Sequence, residues 1–516
     1  MKNTTQYDAI IIGAGLGGLT TAGILAKKGK KVLILEQHNI PGGCATCYPR
    51  LGVTIDVGLH ELDWGSDNEN LKIRIFKKLG IYEKIPFVSI NECWSYKTPT
   101  HSYTIPHGHE NVKEFLKNNF PKEEKGIDAY FKDMQFTALL AHKTASDMNF
   151  WEFVWFPFKE LRSMIKNLLV QENTGDKLDF YFKSNEIKAV LLANNGYYAD
   201  DPYNLSWFYH CAGQYAYYNS SKYIKGGGQT LSNLLLDVVL ENNGEIRYLK
   251  DVHKIELEGN KAIGVTYTDR KTKENVTVYG THIVSNASPN SINKMIPTEL
   301  EDQSVKGLKT NSRSIFSVYM ITNKNLTDIY PDISYTSFFD NDKAYTSELI
   351  EIEEALHNPC IGSRKFSFTN YGSIDSGLVP EGDPRTCAVF CGSSFLAEWD
   401  DLSKEEYKAK KEELAQKLFE RIEQYYPDFR KHIEYYEVST PKTIQRYIKT
   451  PHGSVYGYLQ TGFFWNRKGL RGFQQRRAPR HSQSIKNLHY TGAWGWPGGG
   501  FTGAICSGYL AGNHIH

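Results

Sequence analysis

The stretch that decides the fold is YDAIIIGAGLGGLTTAGILAKKGKKVLILEQHNIPGGCATC, residues 7–47. A short, wholly apolar run at 9–12 is typical of a strand buried on both faces. A helix is expected over 16–28, and a second apolar strand over 31–35 ends at Glu36. Strand, helix and strand in this order predict a βαβ unit.

The turn between the first strand and the helix has the spacing of a dinucleotide site. Gly13, Gly15 and Gly18 form Gly-x-Gly-x-x-Gly, which permits a tight turn, a close approach to a pyrophosphate and tight helix–strand packing. Leu16 and Gly17 open the helix, where the amides and the helix dipole favour phosphate oxygens. The turn is therefore predicted to hold the pyrophosphate of a dinucleotide.

The residues after the second strand indicate which dinucleotide is bound. The carboxylate of Glu36, with Gln37 beside it, can accept hydrogen bonds from both ribose hydroxyls and would repel a 2′-phosphate. A second glycine pair, Gly42-Gly43, follows within a few residues, where a NAD dehydrogenase would continue into another crossover. The start of the chain thus resembles the glutathione-reductase-type FAD fold.

The whole chain is similar to the phytoene desaturase, carotenoid isomerase and retinol saturase group of flavoproteins. The resemblance implies FAD as the cofactor. It also implies an α/β fold in which a glutathione-reductase-type FAD-binding Rossmann fold is interleaved with an α+β substrate-binding domain. The pieces that match are 13–18, Glu36, PGGCATCYPRLGVTIDVGLH (41–60), YIKGGGQTLSNLL (223–235), GEIRYLKDVHKIELEGNKAIGV (244–265), IVSNASP (283–289) and NLHYTGAWGWPGGGFTGAICSGYLAG (487–512).

The resemblance also implies cofactor contacts outside the first unit. The backbone of Val252 is expected to contact the adenine ring. Amides at the start of a helix over 501–513 are expected to face the pyrimidine and ribityl end of the flavin. Arg50, a cation close to the second glycine pair, is expected to approach the pyrophosphate. The other predicted cofactor contacts are Gly42, Gly43, Cys44, Gly492, Gly500, Phe501 and Thr502.

Four residues are candidates for the catalytic site. His60 and Glu61 follow a turn at 56–58 and are expected to enter the substrate cavity, with a hydrogen-bonded structural histidine as the alternative. The resembling family usually has small residues where this chain has Trp494 and Trp496. Two indoles are therefore expected near the flavin face.

Cys44 and Cys47 have the Cys-x-x-Cys spacing, which can activate one thiol for redox chemistry. Two buried thiols are the favoured interpretation, because related flavoproteins place this segment in the flavin loop. No second Cys-x-x-Cys follows, so no metal site is predicted.

Two insertions are expected to interrupt the cofactor domain and to build the substrate domain. The first contains the aromatic run FWEFVWFPF at 150–158, and the second contains the strand-like SIFSVYMIT and a charged helix over 404–425. Three segments are predicted to bind FAD, residues 1–104, 223–299 and 436–516. The two segments between them, residues 105–222 and 300–435, are predicted to form the substrate domain.

The amino-acid composition limits the classes of partner and the cellular location that can be expected for this protein. The net charge of +2 over 516 residues gives no global field that would favour nucleic acid. Eight cysteines are too few for a disulfide scaffold, no signal peptide is recognised, and no apolar stretch approaches the roughly 20 residues that span a bilayer. A cytoplasmic location is expected, with peripheral contact on the inner face of a membrane through 150–158 and the cations that follow it.

The resemblance implies an oxidoreductase that acts on double bonds of a carotenoid-like or retinoid-like polyene or isoprenoid. Desaturation or saturation by hydride transfer at FAD is favoured over cis–trans isomerisation. A flavin amine oxidase is an alternative, although its usual lysine and aromatic pair have no secure counterparts; a non-catalytic FAD-binding lipid carrier is another. No second Gly-x-Gly-x-x-Gly follows, so oxygen or a quinone is expected as the electron acceptor.

Overall fold

A computed structural model describes residues 6–65, 70–142, 173–198, 201–301, 312, 314–340, 364–459 and 480–516. The strands are β1 Gln6–Ile12, β2 Val32–Leu35, β3 Cys47–Arg50, β4 Val53–Asp56, β5 Leu62–Asp63, β6 Phe87–Ser89, β7 Glu92–Lys97, β8 Ser102–Pro106, β9 Ser221–Ile224, β10 Glu245–Arg247, β11 Lys250–Glu258, β12 Lys261–Asp269, β13 Asn275–Ser285, β14 Ser314–Thr322, β15 Thr336–Phe339, β16 Phe366–Asn370, β17 Thr386–Ser394, β18 Ile433–Ser439 and β19 Leu488–Tyr490. The α-helices are α1 Leu16–Lys27, α2 Leu71–Leu79, α3 His109–Asn119, α4 Glu124–His142, α5 Thr174–Tyr181, α6 Asn185–Leu191, α7 Trp207–Asn219, α8 Gly228–Glu241, α9 Pro289–Asn293, α10 Leu326–Ile329, α11 Lys404–Glu423, α12 Pro441–Ile448 and α13 Gly500–His514.

The first sheet gathers strands from three distant regions of the chain. Strands β10, β2, β1, β13 and β19 are parallel in that order, and β1 and β2 are apolar and almost wholly buried, as two-faced burial requires. Strands β11, β12 and β13 form an antiparallel meander at the other end. The predicted α/β fold with an FAD-type Rossmann unit is confirmed.

Strands β10 to β13 lie within residues 245–285, and β13 is the longest of them. It begins at Asn275 and ends at Ser285. Its first half pairs with β12, while its second half joins the parallel sheet next to β1. A hairpin partner therefore extends the strand beyond its apolar run.

The last helix packs directly against the first one. A Cβ at Gly508 would lie 2.5 Å from the carbonyl oxygen of Gly17, and a Cβ at Gly512 would lie 2.9 Å from Cβ of Ile24. Glycine at these positions allows the two backbones to approach closely. This packing places the start of α1 beside the middle of α13, so α13 begins about two turns beyond the glycine-rich turn.

The second sheet has the strand order β18-β14-β17-β16-β15-β7-β8 and is antiparallel except for the β15–β7 pair. Helix α11 covers it, with Leu414, Leu418 and Phe419 in the same core as Phe390. The domain boundaries remain a prediction, although strands β7 and β8 join this second sheet across the boundary expected at residue 104.

Helices α3, α4, α5, α6 and α7 share a third core with strand β7. A small sheet, β5-β9-β6, joins this layer to the cofactor half. In the described part of the chain, no helix combines the length and the apolar character needed to span a membrane. The aromatic run at 150–158 that we expect to contact a membrane lies outside the described residues.

Candidate functional site

The glycine-rich turn forms a cradle in which backbone groups are the closest surface. Gly13 has a φ of +92°, which favours glycine. A Cβ at Gly15 would lie 2.5 Å from Nδ2 of Asn286, and a Cβ at Gly17 would clash with the Cα of Gly492. A Cβ at Gly18 would clash with the carbonyl oxygen of Gly13. We call Gly13, Gly15, Gly17, Gly18 and Gly492 the glycine cradle.

Asn286 also lies at this site, although the sequence indicated it only as part of the motif at 283–289. Its amide donates to the carbonyl of Ile12, so it directly follows β13 at the edge where parallel strands end. Its side-chain oxygen accepts from the amide of Gly18 at 3.2 Å. Position after a central parallel strand was the signal that could have identified it, because ligands bind at that edge.

The second glycine pair lies against the cradle. Gly15 and Gly42 form an isolated parallel bridge, and Gly42 and Gly43 have φ values of +125° and +63°. A Cβ at Gly43 would lie 3.4 Å from Cα of Gly15. The structure therefore brings together the two glycine motifs that the sequence predicts for the cofactor.

Glu36 is buried at the end of β2, as predicted. Its Oε2 accepts from the amide of Ala14 at 2.7 Å, and its Oε1 accepts from the amide of His38 at 2.8 Å. Each carboxylate oxygen keeps a second acceptor direction, which is what a ribose diol requires. Gln37 follows it and donates to the carbonyl of Tyr447 at 3.2 Å.

Val252 lies near this ribose end. It is buried on β11 opposite Tyr267. The first residue of the same strand, Lys250, donates its amide to the carbonyl of Glu36 at 2.8 Å. The predicted adenine contact and the predicted ribose contact are thus on adjoining backbone.

A buried carboxylate, Asp56, holds the loop after the second glycine pair. It accepts from the amides of Gly58, Leu59 and Gly228 at 3.0–3.1 Å, and from the hydroxyl of Tyr223 at 2.9 Å. Burial nevertheless raises its pKa to about 6. Asp56 therefore attaches the loop to the start of α8, and the triple glycine at 226–228 leaves room for it.

The thiols of the Cys-x-x-Cys pair are both free. Burial raises the pKa of Cys44 to about 11, and burial together with the charge of Asp56 raises the pKa of Cys47 further. Both groups are therefore protonated at neutral pH, and protonated thiols are poor nucleophiles. Both cysteines keep some accessible surface, so they are half-buried and not the two buried thiols that the sequence favours.

The contacts of Arg50 differ from the predicted approach to a pyrophosphate. Its guanidinium stacks over the ring of Tyr48 and forms an ion pair with Glu437 of β18 at 3.2 Å. The side chain is 44% exposed. The β3–β4 hairpin carries Arg50 toward the second sheet, an orientation that residue spacing does not reveal.

A buried lysine, Lys72, lies against the start of α13, and the sequence did not predict it. Nζ of Lys72 donates to Oδ1 of Asp63 at 3.1 Å and to Oγ1 of Thr502 at 3.0 Å, and Thr502 donates to the same carboxylate oxygen at 2.5 Å. The side chain of Lys72 is wholly buried. We call Asp63, Lys72 and Thr502 the buried triad. The residues around Lys72 in the sequence have the composition of an exposed surface, so nothing there indicated that its side chain would be buried.

The other predicted residues of the C-terminal block surround the same helix start. Gly500 has open space around its Cα, and Phe501 packs against the cofactor-half core. Trp494 is buried with its ring edge-on to Tyr458, at 5.0 Å between centroids. Trp496 is half-buried. A catalytic role for either indole stays a prediction.

His60 and Glu61 both face a buried region, and their protonation differs. Nδ1 of His60 lies 3.0 Å from the hydroxyl of Tyr371, and burial lowers the pKa of His60 to about 4. Burial raises the pKa of Glu61 to about 7, against hydrogen bonds from Ser221 and Tyr197 that lower it. His60 is thus neutral at pH 7, whereas Glu61 can hold or release a proton.

The two carboxyl oxygens of Glu61 differ in their partners. Its Oε1 accepts from the hydroxyl of Tyr197 at 3.1 Å. Its Oε2 is buried and has no hydrogen-bond partner among the described residues. An unpartnered buried carboxylate oxygen is costly, which favours the protonated form of Glu61.

Tyrosine side chains lie near this carboxyl. Tyr197, Tyr209 and Tyr217 are half-buried, and burial raises the pKa of each hydroxyl above its ordinary value. The sequence predicts a substrate cavity next to Glu61, and these rings are its expected lining; we call this predicted region the aromatic cavity. The hydroxyl of Tyr209 donates to the carbonyl of Gly498 at 3.5 Å, which connects the region to the start of α13.

Fold and site together define an α/β protein with a dinucleotide-type βαβ unit and a second, mainly antiparallel sheet. The chain belongs to the family described as flavin containing amine oxidoreductase, whose model matches residues 16–516. It is 26% identical to prolycopene isomerase, chloroplastic, of Daucus carota, over 100% of this chain and 81% of that one. It is also 26% identical to all-trans-retinol 13,14-reductase of Danio rerio, over 99% of this chain and 87% of that one.

Solved structures support the fold. Putrescine oxidase bound to putrescine matches with a TM-score of 0.61 at 15% identity, over 99% of both chains. An oxidoreductase from Methanosarcina mazei matches with a TM-score of 0.60 at 14% identity, over 97% of this chain and 99% of that chain. The predicted family resemblance and the predicted fold are confirmed.

The residues present fit FAD, the cofactor that a flavin-containing family implies. The glycine cradle would hold the pyrophosphate, since its closely packed glycines leave the turn without side chains that would keep a phosphate from the backbone. Glu36 would hold the ribose, and Val252 would lie at the adenine. The start of α13 at Gly500, where a Cβ would meet no atom within 4 Å, would take the flavin end.

Proposed function

We propose that the protein is an FAD-dependent oxidoreductase that adds or removes hydrogen across a carbon–carbon double bond of a long apolar polyene or isoprenoid. The observation that carries the proposal is the Glu61 carboxyl, which is buried, accepts from the hydroxyl of Tyr197 and has a pKa of about 7. FAD, when bound, supplies hydride transfer. The accompanying proton must be moved by a protein group, because the cavity restricts water.

Glu61 is suited to move that proton in either direction. Near pH 7 its acid and carboxylate forms coexist, and a general acid–base group works best when its pKa is close to the operating pH. The acid form would give a proton to carbon in saturation, and the carboxylate would take one in desaturation. Neutral His60 would orient the substrate, since its lowered pKa makes it a poor acid.

The relatives support the substrate class. One is named for the isomerisation of prolycopene and another for the reduction of all-trans-retinol, and both match nearly the full chain. The aromatic cavity offers ring surfaces on which a conjugated chain can stack. Cis–trans isomerisation is the second candidate, favoured by the full-length similarity to prolycopene isomerase.

Product mass separates these reactions. FAD-loaded protein is reduced anaerobically with dithionite and mixed with all-trans-retinol or prolycopene in detergent micelles. A gain of two hydrogens supports saturation, and an unchanged mass with a shifted retention time supports isomerisation. Loss of two hydrogens by oxidised protein with a quinone supports desaturation. Peroxide formation from putrescine would instead identify an amine oxidase, and no turnover of any substrate would leave a lipid carrier.

Glu61→Gln is the matched test of the proposed acid–base group. It keeps the shape of the side chain and removes the titrating proton. Glu83→Gln is the control, because Glu83 is exposed on the short turn after α2. Loss of turnover in Glu61→Gln alone, with FAD retained in both variants, is the expected result; equal turnover in the two variants contradicts the assigned role.

We further propose that the protein collects its substrate at a membrane surface, in the cytoplasm, and is reoxidised by oxygen or a quinone. Each CH₂ of an apolar chain favours the bilayer by about 0.8 kcal/mol, so the substrate is found there. Flotation with anionic liposomes tests the idea. Trp151→Ser combined with Trp155→Ser is expected to release a yellow, folded protein from the vesicles; wild type that never floats contradicts it.

A further inference from the structure

The buried triad places a lysine where packing alone would favour an apolar residue. Helix α2 turns Ile73, Ile75, Phe76 and Leu79 into the protein, and Lys72 is as deeply buried as they are. A buried ammonium is costly unless it is paired and fully hydrogen bonded. The triad meets that requirement, so the charge is kept in place by specific partners.

The partners of Lys72 lie in two functional regions. Thr502 is in the first turn of α13, two residues after Gly500, where the flavin end would bind. Asp63 is two residues after Glu61, and the alternation of side chains along a strand directs both carboxyls to one face. The ion pair therefore lies between the flavin end of the cofactor site and the proposed acid–base group.

Other charged and titratable groups surround the triad. The charge of Asp63 acts on Glu61 and on the hydroxyls of Tyr198, Tyr209 and Tyr217 in the aromatic cavity. The indole of Trp64 lies under the ammonium of Lys72, 6.0 Å from the ring centroid. The thiol of Cys506, one turn along α13, is also within the field of Lys72 and Asp63.

We propose that Lys72, acting through Asp63 and Thr502, sets the charge of the flavin pocket and so controls how readily the bound flavin is reduced. The inference rests on the proposed function, because it requires FAD in the cradle. Negative charge develops on the pyrimidine end of a flavin when it is reduced, and protein charges nearby tune that step. Lys72 and Asp63 are positioning residues, since they act on the flavin through the helix start.

The two members of the ion pair should have opposite effects. Lys72→Met leaves the negative charge of Asp63, which disfavours reduced flavin, so the midpoint potential should fall. Asp63→Asn leaves the positive charge of Lys72, which stabilises reduced flavin, so the potential should rise. Both variants lose a buried partner and both should lose stability. A merely structural role predicts the shared loss of stability without the opposite shifts.

A second ion pair with a buried lysine supplies the control. Lys188 of α6 is 8% exposed and pairs at 2.7 Å with Asp179, whose side chain is 36% exposed. This pair lies in the helical layer that shares a core with β7, away from the cradle. Lys188→Met and Asp179→Asn should lower the melting temperature and leave the potential at the wild-type value.

The experiment is a dye-coupled anaerobic reduction of each FAD-loaded variant, with thermal unfolding measured on the same samples. Opposite shifts for Lys72→Met and Asp63→Asn, and no shift for the control pair, support the proposal. Unchanged potentials, or shifts of the same sign in the two variants, overturn it. If Lys72→Met does not fold, Lys72→Gln removes the same charge while retaining a hydrogen-bond donor. Failure of wild type to bind FAD would instead reject the proposed function.

Discussion

The nucleotide end and the substrate end of the site are built from different kinds of groups. At the nucleotide end, backbone atoms and glycines form the surface, and a single carboxylate, Glu36, is held by the amides of Ala14 and His38. At the substrate end, long side chains from separate elements meet, with Glu61 and the buried triad among tyrosine rings. The first region fixes a ligand by shape, whereas the second controls charge and protons.

This difference teaches where a substitution should act. Substitutions in the glycine cradle should abolish FAD binding completely, because a Cβ has no space there. Changes at the substrate end should keep the cofactor and alter rate or pH dependence. We therefore expect the largest effect at the cradle and smaller ones away from it.

Gly15→Val should abolish FAD retention. Its Cβ would lie 2.5 Å from Nδ2 of Asn286, so valine would displace that side chain and distort the turn that a pyrophosphate must approach closely. Gly196→Ala is the control, because a Cβ there meets nothing within 4 Å. The measurement is the flavin absorbance per protein after gel filtration. A yellow Gly15→Val protein with stoichiometric FAD would show that the cradle is misassigned.

Glu61→Gln should lower turnover of the polyene by about 10²–10⁴-fold while FAD binding stays unchanged. The loss is expected in the chemical step, so single-turnover kinetics are the measurement. A Glu61→Gln protein that loses FAD in proportion to its turnover would contradict the separation between a nucleotide end that binds the cofactor and a substrate end that moves protons.

The pH dependence of turnover should reveal which direction Glu61 serves. Its pKa of about 7 means that the acid form dominates below pH 7 and the carboxylate above it. Saturation needs the acid, so its rate should fall about tenfold per pH unit above 7. Desaturation needs the carboxylate, so its rate should rise toward pH 7 and then level. A profile that is flat from pH 6 to 8 in both directions would exclude Glu61 as the rate-limiting proton carrier.

Acid should weaken the cofactor half through His489. Burial, together with the nearby His282, His514 and His481, lowers its pKa to about 3. The unfolded chain takes up this proton near pH 6.5, so the contribution to stability is complete above pH 6.5 and is lost as the pH falls toward 3.

Denaturant unfolding measured from pH 7 to pH 5 checks this sign. A single proton bound only by the unfolded chain lowers the free energy of unfolding by up to about 1.4 kcal/mol per pH unit. His489→Gln should flatten the dependence, whereas His253→Gln, at an exposed position, should not. A free energy of unfolding that depends more steeply on pH in His489→Gln than in wild type would contradict the role given to His489.

Arg50→Ala should have the smallest effect. Its ion pair with Glu437 is largely exposed, and exposed pairs contribute about 0–1 kcal/mol. FAD affinity should stay close to that of wild type, measured by fluorescence titration of apoprotein. A large loss of FAD affinity would show that Arg50 turns toward the pyrophosphate when the cofactor binds.

The nucleotide end could be predicted almost entirely from the sequence. Strand, glycine turn, helix and Glu36 are consecutive, so their spacing alone specifies how the backbone meets a dinucleotide. The C-terminal glycines and Val252 followed from the family resemblance, and the structure sets both beside this unit. His60 and Glu61 follow a turn tied to the same loop, and their place in a substrate cavity stays a prediction.

Only the tertiary structure decided the charges at the substrate end. Asp63, Lys72 and Thr502 are separated by up to 439 positions, and no local pattern links a lysine on an amphipathic helix to a threonine near the C-terminus. Tertiary packing also pairs Arg50 with Glu437, and burial raises the pKa of Glu61 to about 7. Backbone geometry is local and can be read along the chain, whereas burial and electrostatic partners depend on which distant elements pack together.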